Sequence, residues 1–223
     1  MEKQLFGRAI TRFLSGVMIL GLLLFLPAGT LAWSDGWLLM GILFVPMFFA
    51  GLVMLAKSPE LLRRRLIAKE EQTEQKQVIA LSGLMFLAAF VLAGLNFRFG
   101  WLVLPRWIVW TAAAMFLLGY LLYAEVLREH VWLSRTVEVQ EDQKVIDTGL
   151  YGVVRHPMYA VTVLLFLSMP LVLGSPLSFA VMLGYPPIIA KRIRNEEALL
   201  EQGLAGYREY KQRVKYRLVP GIW

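Results

Sequence analysis

Apolar residues fall in long, nearly unbroken windows along most of this chain. Four windows, at residues 13–33, 36–56, 78–96 and 107–127, are almost free of charged side chains. A helix needs roughly 20 apolar residues to cross a bilayer, so each window predicts a membrane-spanning α-helix. The first window lacks a cleavage-site pattern and is followed closely by the second, which indicates a span rather than a signal peptide.

A fifth apolar region, 158–190, is too long for a single crossing. Pro170, Gly174, Ser175 and Pro176 interrupt it, and proline breaks or kinks a helix because it lacks a backbone donor. We therefore predict a helical hairpin with arms of about 15 residues, or roughly 23 Å at 1.5 Å per residue. Because the hydrocarbon core is ~30 Å thick, we expect the hairpin to tilt little or to turn within the far leaflet.

Three polar segments separate or follow these windows. Residues 57–77 begin with Ser-Pro-Glu, a helix start, and predict a helix on the membrane surface. Residues 128–157 are polar, with alternating β-branched positions and turn signals, and predict an extended loop against the membrane face. Residues 191–223 continue the hairpin as a helix. The pattern divides the chain into a four-span region, 1–128, and a second region, 129–223.

Composition and charge agree with a membrane protein. Hydrophobic residues make up 58% of the 223, against about 45–50% in soluble domains. If the N-terminus is cytoplasmic, 21 of the 23 Lys and Arg lie on that side, and only Arg98 and Arg106 lie on the other. This positive-inside bias predicts a multi-pass topology with both termini cytoplasmic, and it argues against nucleic-acid binding.

The fold class that we predict is an all-α integral membrane protein. It has four transmembrane helices, a C-terminal helical hairpin and a cytoplasmic C-terminal helix. The chain has no cysteine and only two histidines, so it has few of the usual zinc ligands, and we expect no metal. Dinucleotide-binding, phosphate-loop, hydrolase and metalloprotease motifs are absent from the sequence.

Polar residues that could take part in catalysis or binding lie at both ends of the predicted hairpin. Because a hairpin returns to the side that it left, both groups lie at the same membrane face. A pocket there would be polar toward the cytosol and apolar toward lipid, which suits a water-soluble cofactor and a lipophilic substrate. The residues are Tyr151, Arg155, His156 and Tyr159 in "TGLYGVVRHPMYAV", and Arg192, Arg194, Glu196 and Glu197 in "KRIRNEE".

Each of these residues also has an ordinary interpretation when it is taken alone. Arg155 is typical of a side chain that extends to lipid headgroups, and His156 is typical of a helix N-cap. The two tyrosines fit an interfacial aromatic belt. The two glutamates fit a solvated helix face.

In combination, the ordered motifs resemble a known family. "GLYGVVRHPMY", then "RIRNEE", then "GYREYKQRV" is similar to the isoprenylcysteine carboxyl methyltransferases, and the related phospholipid methyltransferases share the pattern. The resemblance covers roughly 129–223, and the short chain looks most like a prokaryotic member. It implies S-adenosyl-L-methionine as methyl donor, bound without a Rossmann domain by the loop, the hairpin and the C-terminal helix.

The resemblance also implies roles for particular residues. Arg192 and Glu196 are expected to be catalytic, Arg192 near the acceptor's nucleophile and Glu196 on the cofactor. Arg192 and Arg194 are expected to contact the substrate. The choices between Arg192 and Arg194, and between Glu196 and Glu197, stay open. The implied cofactor-binding positions are Gln143, Lys144, Val145, Ile146, Tyr151, His156, Pro157, Met158, Tyr159, Glu196 and Glu197.

The function that we expect is methyl transfer to a lipophilic acceptor, chiefly the carboxylate of a prenylcysteine-like substrate. A carboxylate is already ionised near neutral pH, whereas an amine or thiol must lose a proton. A phospholipid amine and a small thiol are the alternative acceptors. Other classes are an NADPH-dependent membrane reductase, for which Arg194 could meet phosphate, and a transporter or scaffold, for which repeated halves would be expected. The expected partners are this lipophilic substrate and membrane lipids.

Overall fold

The structure, a computed structural model, describes residues 2–66, 73–130 and 143–223. Within these ranges the chain is helical, without a β-strand. Four helices are long and apolar enough to cross a membrane, which confirms the predicted fold class and the number of spans. They are α1 Glu2–Ala28, α2 Ser34–Lys57, α4 Thr73–Phe99 and α5 Arg106–Glu129. The first span lies earlier than the predicted 13–33, because Gly29, at φ 70°, follows the end of α1.

The polar segments agree in part with the sequence analysis. Helix α3, Pro59–Leu66, supplies the helix expected within 57–77, but residues 67–72 lie outside the described chain and α4 already begins at Thr73. The loop expected over 128–157 falls partly on residues 131–142, which also lie outside the described chain. Residues 143–148 form no helix, and a 3-10 turn follows at Gly149–Gly152.

The fifth apolar region forms the expected hairpin with one additional break. Helix α6, Pro157–Val172, is followed by a turn and by α7, Pro176–Met182, where Ser175 Oγ accepts a hydrogen bond from the Ser178 backbone N–H. The chain breaks again at Leu183 and Gly184, which the sequence analysis did not predict. Helix α8, Tyr185–Gly203, then continues into the polar C-terminal part, and α9, Tyr207–Arg213, follows.

Close packing fixes the position of the hairpin against the long helices. Helix α6 packs mainly on α5, α1 on α4, and α4 on α7. Gly119 of α5 permits the first contact, since a Cβ there would lie 2.7 Å from Leu165 Cδ2. Gly94 permits the second, since a Cβ there would lie 2.6 Å from the Leu24 carbonyl oxygen. Helix α6 is therefore held along α5, with its first residues beside the end of α5.

This packing gives the molecule two ends that differ in chemistry. At the end where α5 begins, Arg106 Nη1 lies 2.5 Å from Asp35 Oδ1, and Asn96 bonds to both backbone groups of Leu102. We call this the far end. Where α5 ends, the rings of His130 and Tyr151 lie 5.1 Å apart. We call this the site end, because the predicted site residues lie there.

Candidate functional site

The start of α6 is fixed by a proline and by the C-terminal segment. Pro157 is the first residue of α6, a position where proline is favoured because the first helical N–H has no partner within the helix. His156 occupies the N-cap position, as its ordinary interpretation predicts, but its side chain makes no capping hydrogen bond. The backbone N–H groups of Arg155 and His156 donate to the carbonyls of Tyr216 and Arg217, each at 2.9 Å.

Arg155, His156, Glu197 and Arg217 form a buried group that we call the Glu197 cluster. Arg155 Nε donates to Glu197 Oε1 at 2.7 Å, and Arg217 Nε donates to Glu197 Oε2 at 2.8 Å. His156 Nε2 lies 3.2 Å from Glu197 Oε1. The side chains of Arg155 and Glu197 are each 3% exposed. The expectation that Arg155 reaches headgroups is therefore wrong.

The hydrogen bonds of this cluster compensate for its burial. Arg155 Nη1 also donates to the carbonyls of Val214 and Lys215, at 2.7 and 2.8 Å. Burial raises the pKa of Glu197, but the hydrogen bonds from His156, Arg155 and Arg217 outweigh it and lower the pKa to about 2. Glu197 is therefore a carboxylate at neutral pH, and both of its oxygens are occupied.

Glu196, the neighbouring residue on α8, has different partners. Tyr159 Oη donates to Glu196 Oε2 at 2.6 Å, and Arg192 Nε donates to the same Tyr159 oxygen at 2.8 Å. The guanidinium carbon of Arg192 also lies 5.9 Å from the centre of the Tyr159 ring. The spacing of Arg192 and Glu196 predicted a shared helix face, and one phenol contacts both side chains.

His156 lies between the two glutamates. Its Nε2 faces Glu197 Oε1, and its Nδ1 lies 4.0 Å from Glu196 Oε1. The side chain of Glu196 is 23% exposed, whereas that of Glu197 is 3% exposed. Of the two carboxylates, Glu196 is therefore the one accessible to a ligand.

The other predicted positions differ in their exposure and contacts. The Tyr151 carbonyl accepts a hydrogen bond from Tyr210 Oη at 2.7 Å, which ties the 3-10 turn to α9. Gly149 opens that turn at φ 51°, and a Cβ there would lie 2.0 Å from a Glu129 carboxylate oxygen. Lys144 and Arg194 are exposed. Pro157 is buried, and the half-buried positions are Gln143, Val145, Ile146 and Met158.

Three residues of the site were not singled out in the sequence. Arg217 is in "YKQRVKYRLVPGIW", where no periodicity distinguishes it from the other basic residues. Tyr207 is in the motif "GYREYKQRV" but had no assigned role. His130 borders the polar loop, and burial lowers its pKa. Only Tyr207 had a usable signal, since it belongs to a motif that carried the resemblance.

Metal ligation is not indicated by this arrangement. In the described ranges 2–66, 73–130 and 143–223, no group of three or more His, Cys, Asp or Glu side chains could hold a metal ion. The carboxylates that face the site are engaged by arginine, tyrosine or histidine.

Comparison with known proteins agrees with the motifs. Residues 107–205 match the family model described as phospholipid methyltransferase. This region begins in α5, contains the whole hairpin and ends after α8. A comparison with curated proteins finds no match. The resemblance drawn from the sequence is confirmed for this region, which is typical of membrane methyltransferases.

Proposed function

We propose that this protein, whose residues 107–205 carry the phospholipid methyltransferase match, is an S-adenosylmethionine-dependent methyltransferase with a lipophilic acceptor. The observation that supports this most directly is the contact between Tyr159, Glu196 and Arg192. These three polar side chains meet where an apolar hairpin joins a polar helix. A charged cofactor and a lipid-soluble acceptor could therefore meet there.

The residues around Glu196 fit a nucleoside that carries an amino acid. The Glu196 carboxylate is suited to hydroxyl or ammonium groups, and its Oε1 is not the oxygen that accepts from Tyr159. Tyr151 and the half-buried side chains of Val145, Ile146 and Met158 supply aromatic and apolar surface. When bound, this cofactor supplies an electrophilic methyl group on a sulfonium.

We assign different roles to the two glutamates. Glu196 is proposed to contact the cofactor, since it is the more accessible and keeps one oxygen away from Tyr159. Glu197 is proposed to hold the site together rather than to touch the cofactor, since His156, Arg155 and Arg217 occupy its oxygens. His156 fixes the relative position of the two carboxylates.

Arg192 is proposed to orient the acceptor. It lies on the same helix face as Glu196, and its guanidinium stands over the Tyr159 ring. A guanidinium suits a carboxylate nucleophile, which supports a prenylcysteine-like acid as acceptor. Holding two reactants in line can supply roughly 7–11 kcal/mol of barrier lowering. Arg194 is exposed, so we propose no acceptor contact for it.

A phospholipid amine is the second candidate acceptor, because the matching family model carries that description. An amine must lose its proton, and Glu196 and His156 are two groups of the described site that could take it. For either acceptor, the positive-inside bias supports a cytoplasmic position of the site.

Tritiated S-adenosylmethionine separates these acceptors. The purified protein would be incubated with N-acetyl-S-farnesylcysteine and, separately, with phosphatidylethanolamine vesicles, and the products treated with alkali. A methyl ester releases volatile methanol, whereas an N-methyl group stays on the non-volatile headgroup. We expect ester formation, and base-stable label on the lipid alone would favour the amine.

Calorimetric binding of S-adenosylhomocysteine tests the cofactor and its site. We expect Glu196→Ala to weaken binding by about 10- to 100-fold, the usual worth of a hydrogen bond to a charged group. Arg192→Ala should retain binding but lower kcat on the order of 100-fold. Arg194→Ala, an exposed arginine two residues away, is the matched control and should match wild type. Folded wild-type protein that does not bind would refute the proposal, and NADPH would be tested next.

A further inference from the structure

Tyr207 is a buried polar side chain for which the proposed function gives no role. It is 4% exposed, and its hydroxyl has no hydrogen-bond partner in the described part of the chain. Buried hydroxyl groups nearly always have a partner, so such an atom calls for an explanation. Glu129 and His130 also carry an unpartnered buried atom, but they lie beside residues 131–142. Tyr207 lies within 143–223, which is described throughout.

The surroundings of Tyr207 connect it to the proposed cofactor site. It packs with Tyr210 and Val145, and Tyr210 in turn bonds to the Tyr151 carbonyl. Burial is the main cause that raises the pKa of the Tyr207 phenol. The negative charges of Glu197 and Glu196 raise this pKa further. Val145, Tyr151 and Glu196 are all positions that the family resemblance assigns to the cofactor. Val145 packs in the same cluster as Tyr207, Tyr151 is joined to it through Tyr210, and the charge of Glu196 reaches its phenol.

The backbone holds Tyr207 in this position. Gly206, at φ 82°, precedes α9 in a left-handed conformation that favours glycine. The backbone N–H of Tyr207 donates to the Leu204 carbonyl at 3.2 Å. This tight turn fixes the backbone from which the Tyr207 side chain enters the buried cluster.

We propose that the Tyr207 hydroxyl is a further cofactor-binding group, which donates a hydrogen bond to an oxygen of the bound nucleoside amino acid. This inference rests on the proposed function. The phenol stays protonated at neutral pH, so it is a donor, and the matching acceptor is a ribose or carboxylate oxygen. The hydroxyl thereby gains in the bound state the partner that the described residues do not supply.

The test compares two Tyr→Phe variants. Tyr207→Phe removes a hydroxyl that has no partner among the described residues, so the melting temperature of the ligand-free protein should stay the same or rise slightly. Its affinity for S-adenosylhomocysteine should fall about fivefold, the usual net worth of one hydrogen bond. Tyr120→Phe is the matched control, because the Tyr120 hydroxyl donates to the Leu43 carbonyl at 2.7 Å within the helix bundle. It should lower the melting temperature and leave the affinity unchanged.

A second ligand locates the acceptor oxygen. 5′-Methylthioadenosine keeps the ribose but lacks the amino acid, so a weaker binding of both ligands by Tyr207→Phe assigns the bond to the ribose. Weaker binding of S-adenosylhomocysteine alone assigns it to the carboxylate. Unchanged affinity for both ligands in Tyr207→Phe overturns this inference and leaves the proposed function standing. Absence of binding by wild type refutes the proposed function itself.

Discussion

The two ends of the helix bundle use polar groups in opposite ways. At the far end, Asn96 bonds to Leu102, only six residues along the chain, and the Arg106 side chain that meets Asp35 is 56% exposed. At the site end, Glu197 joins residues 42 positions before it and 20 positions after it, in a nearly dry environment. The far end combines a local contact with an exposed ion pair between two helices, whereas the site end joins distant segments through a buried carboxylate. This difference predicts which substitutions affect the fold and which affect binding.

The largest effect should follow from Glu197→Ala. The substitution leaves the buried Arg155 guanidinium without its carboxylate, which typically costs about 3–5 kcal/mol of unfolding free energy. Chemical unfolding in detergent, followed by circular dichroism, measures it. Glu201→Ala, on the same helix and paired with Lys211 at a half-exposed position, is the control, with an expected loss of about 0–1 kcal/mol. Equal losses in the two variants would contradict the contrast drawn between buried and exposed pairs.

Acid should remove the stabilisation that Glu197 provides. Its pKa in the folded protein, about 2, lies below its ordinary value of 4.5. The contribution is therefore complete above about pH 4.5 and is lost as the pH falls toward about 2. Melting temperature against pH should fall over this interval in wild type and fall less in Glu197→Gln. Parallel curves for the two proteins would show that other carboxylates determine the acid sensitivity.

A smaller effect, on stability alone, is expected from Asn96→Ala at the far end. This change removes the two hydrogen bonds to Leu102 and leaves its backbone groups unpaired, which costs about 1–3 kcal/mol. Affinity for S-adenosylhomocysteine should not change, because the site lies at the other end of α5. A large loss of affinity at unchanged stability would remove the distinction between the two ends.

The smallest effect is expected from Arg106→Ala. Exposed ion pairs contribute about 0–1 kcal/mol, and this one should weaken further as salt is raised. Thermal unfolding at low and high ionic strength measures both expectations. A loss of several kcal/mol of unfolding free energy would mean that the Asp35–Arg106 pair contributes more to stability than its exposure indicates.

The sequence predicted the membrane helices well because each is specified by its own residues. Windows without charge make a span recognisable locally, and the turn at Gly174 and Ser175 was visible for the same reason. The end of α1 was misplaced because Gly29 lies inside an apolar run. The break at Leu183 and Gly184 was not predicted, although Gly184 and Pro186 signal it.

The site was predictable in part. The i, i+4 spacing placed Arg192 and Glu196 on one face, and the structure agrees. The spacing did not show that Glu197 is buried and Glu196 accessible, because the burial of Glu197 depends on Arg155 and Arg217, which are remote along the chain. The position of Arg217 against the start of α6 results from tertiary backbone hydrogen bonds, which leave no periodic pattern in the sequence.

The Glu197 cluster also has a mechanical consequence. The start of α6, the middle of α8 and residues 214–217 share one buried carboxylate, so a force on any of them is transmitted to the other two. The breaks at Leu183 and Gly184 and at Gly206 lie outside this shared contact.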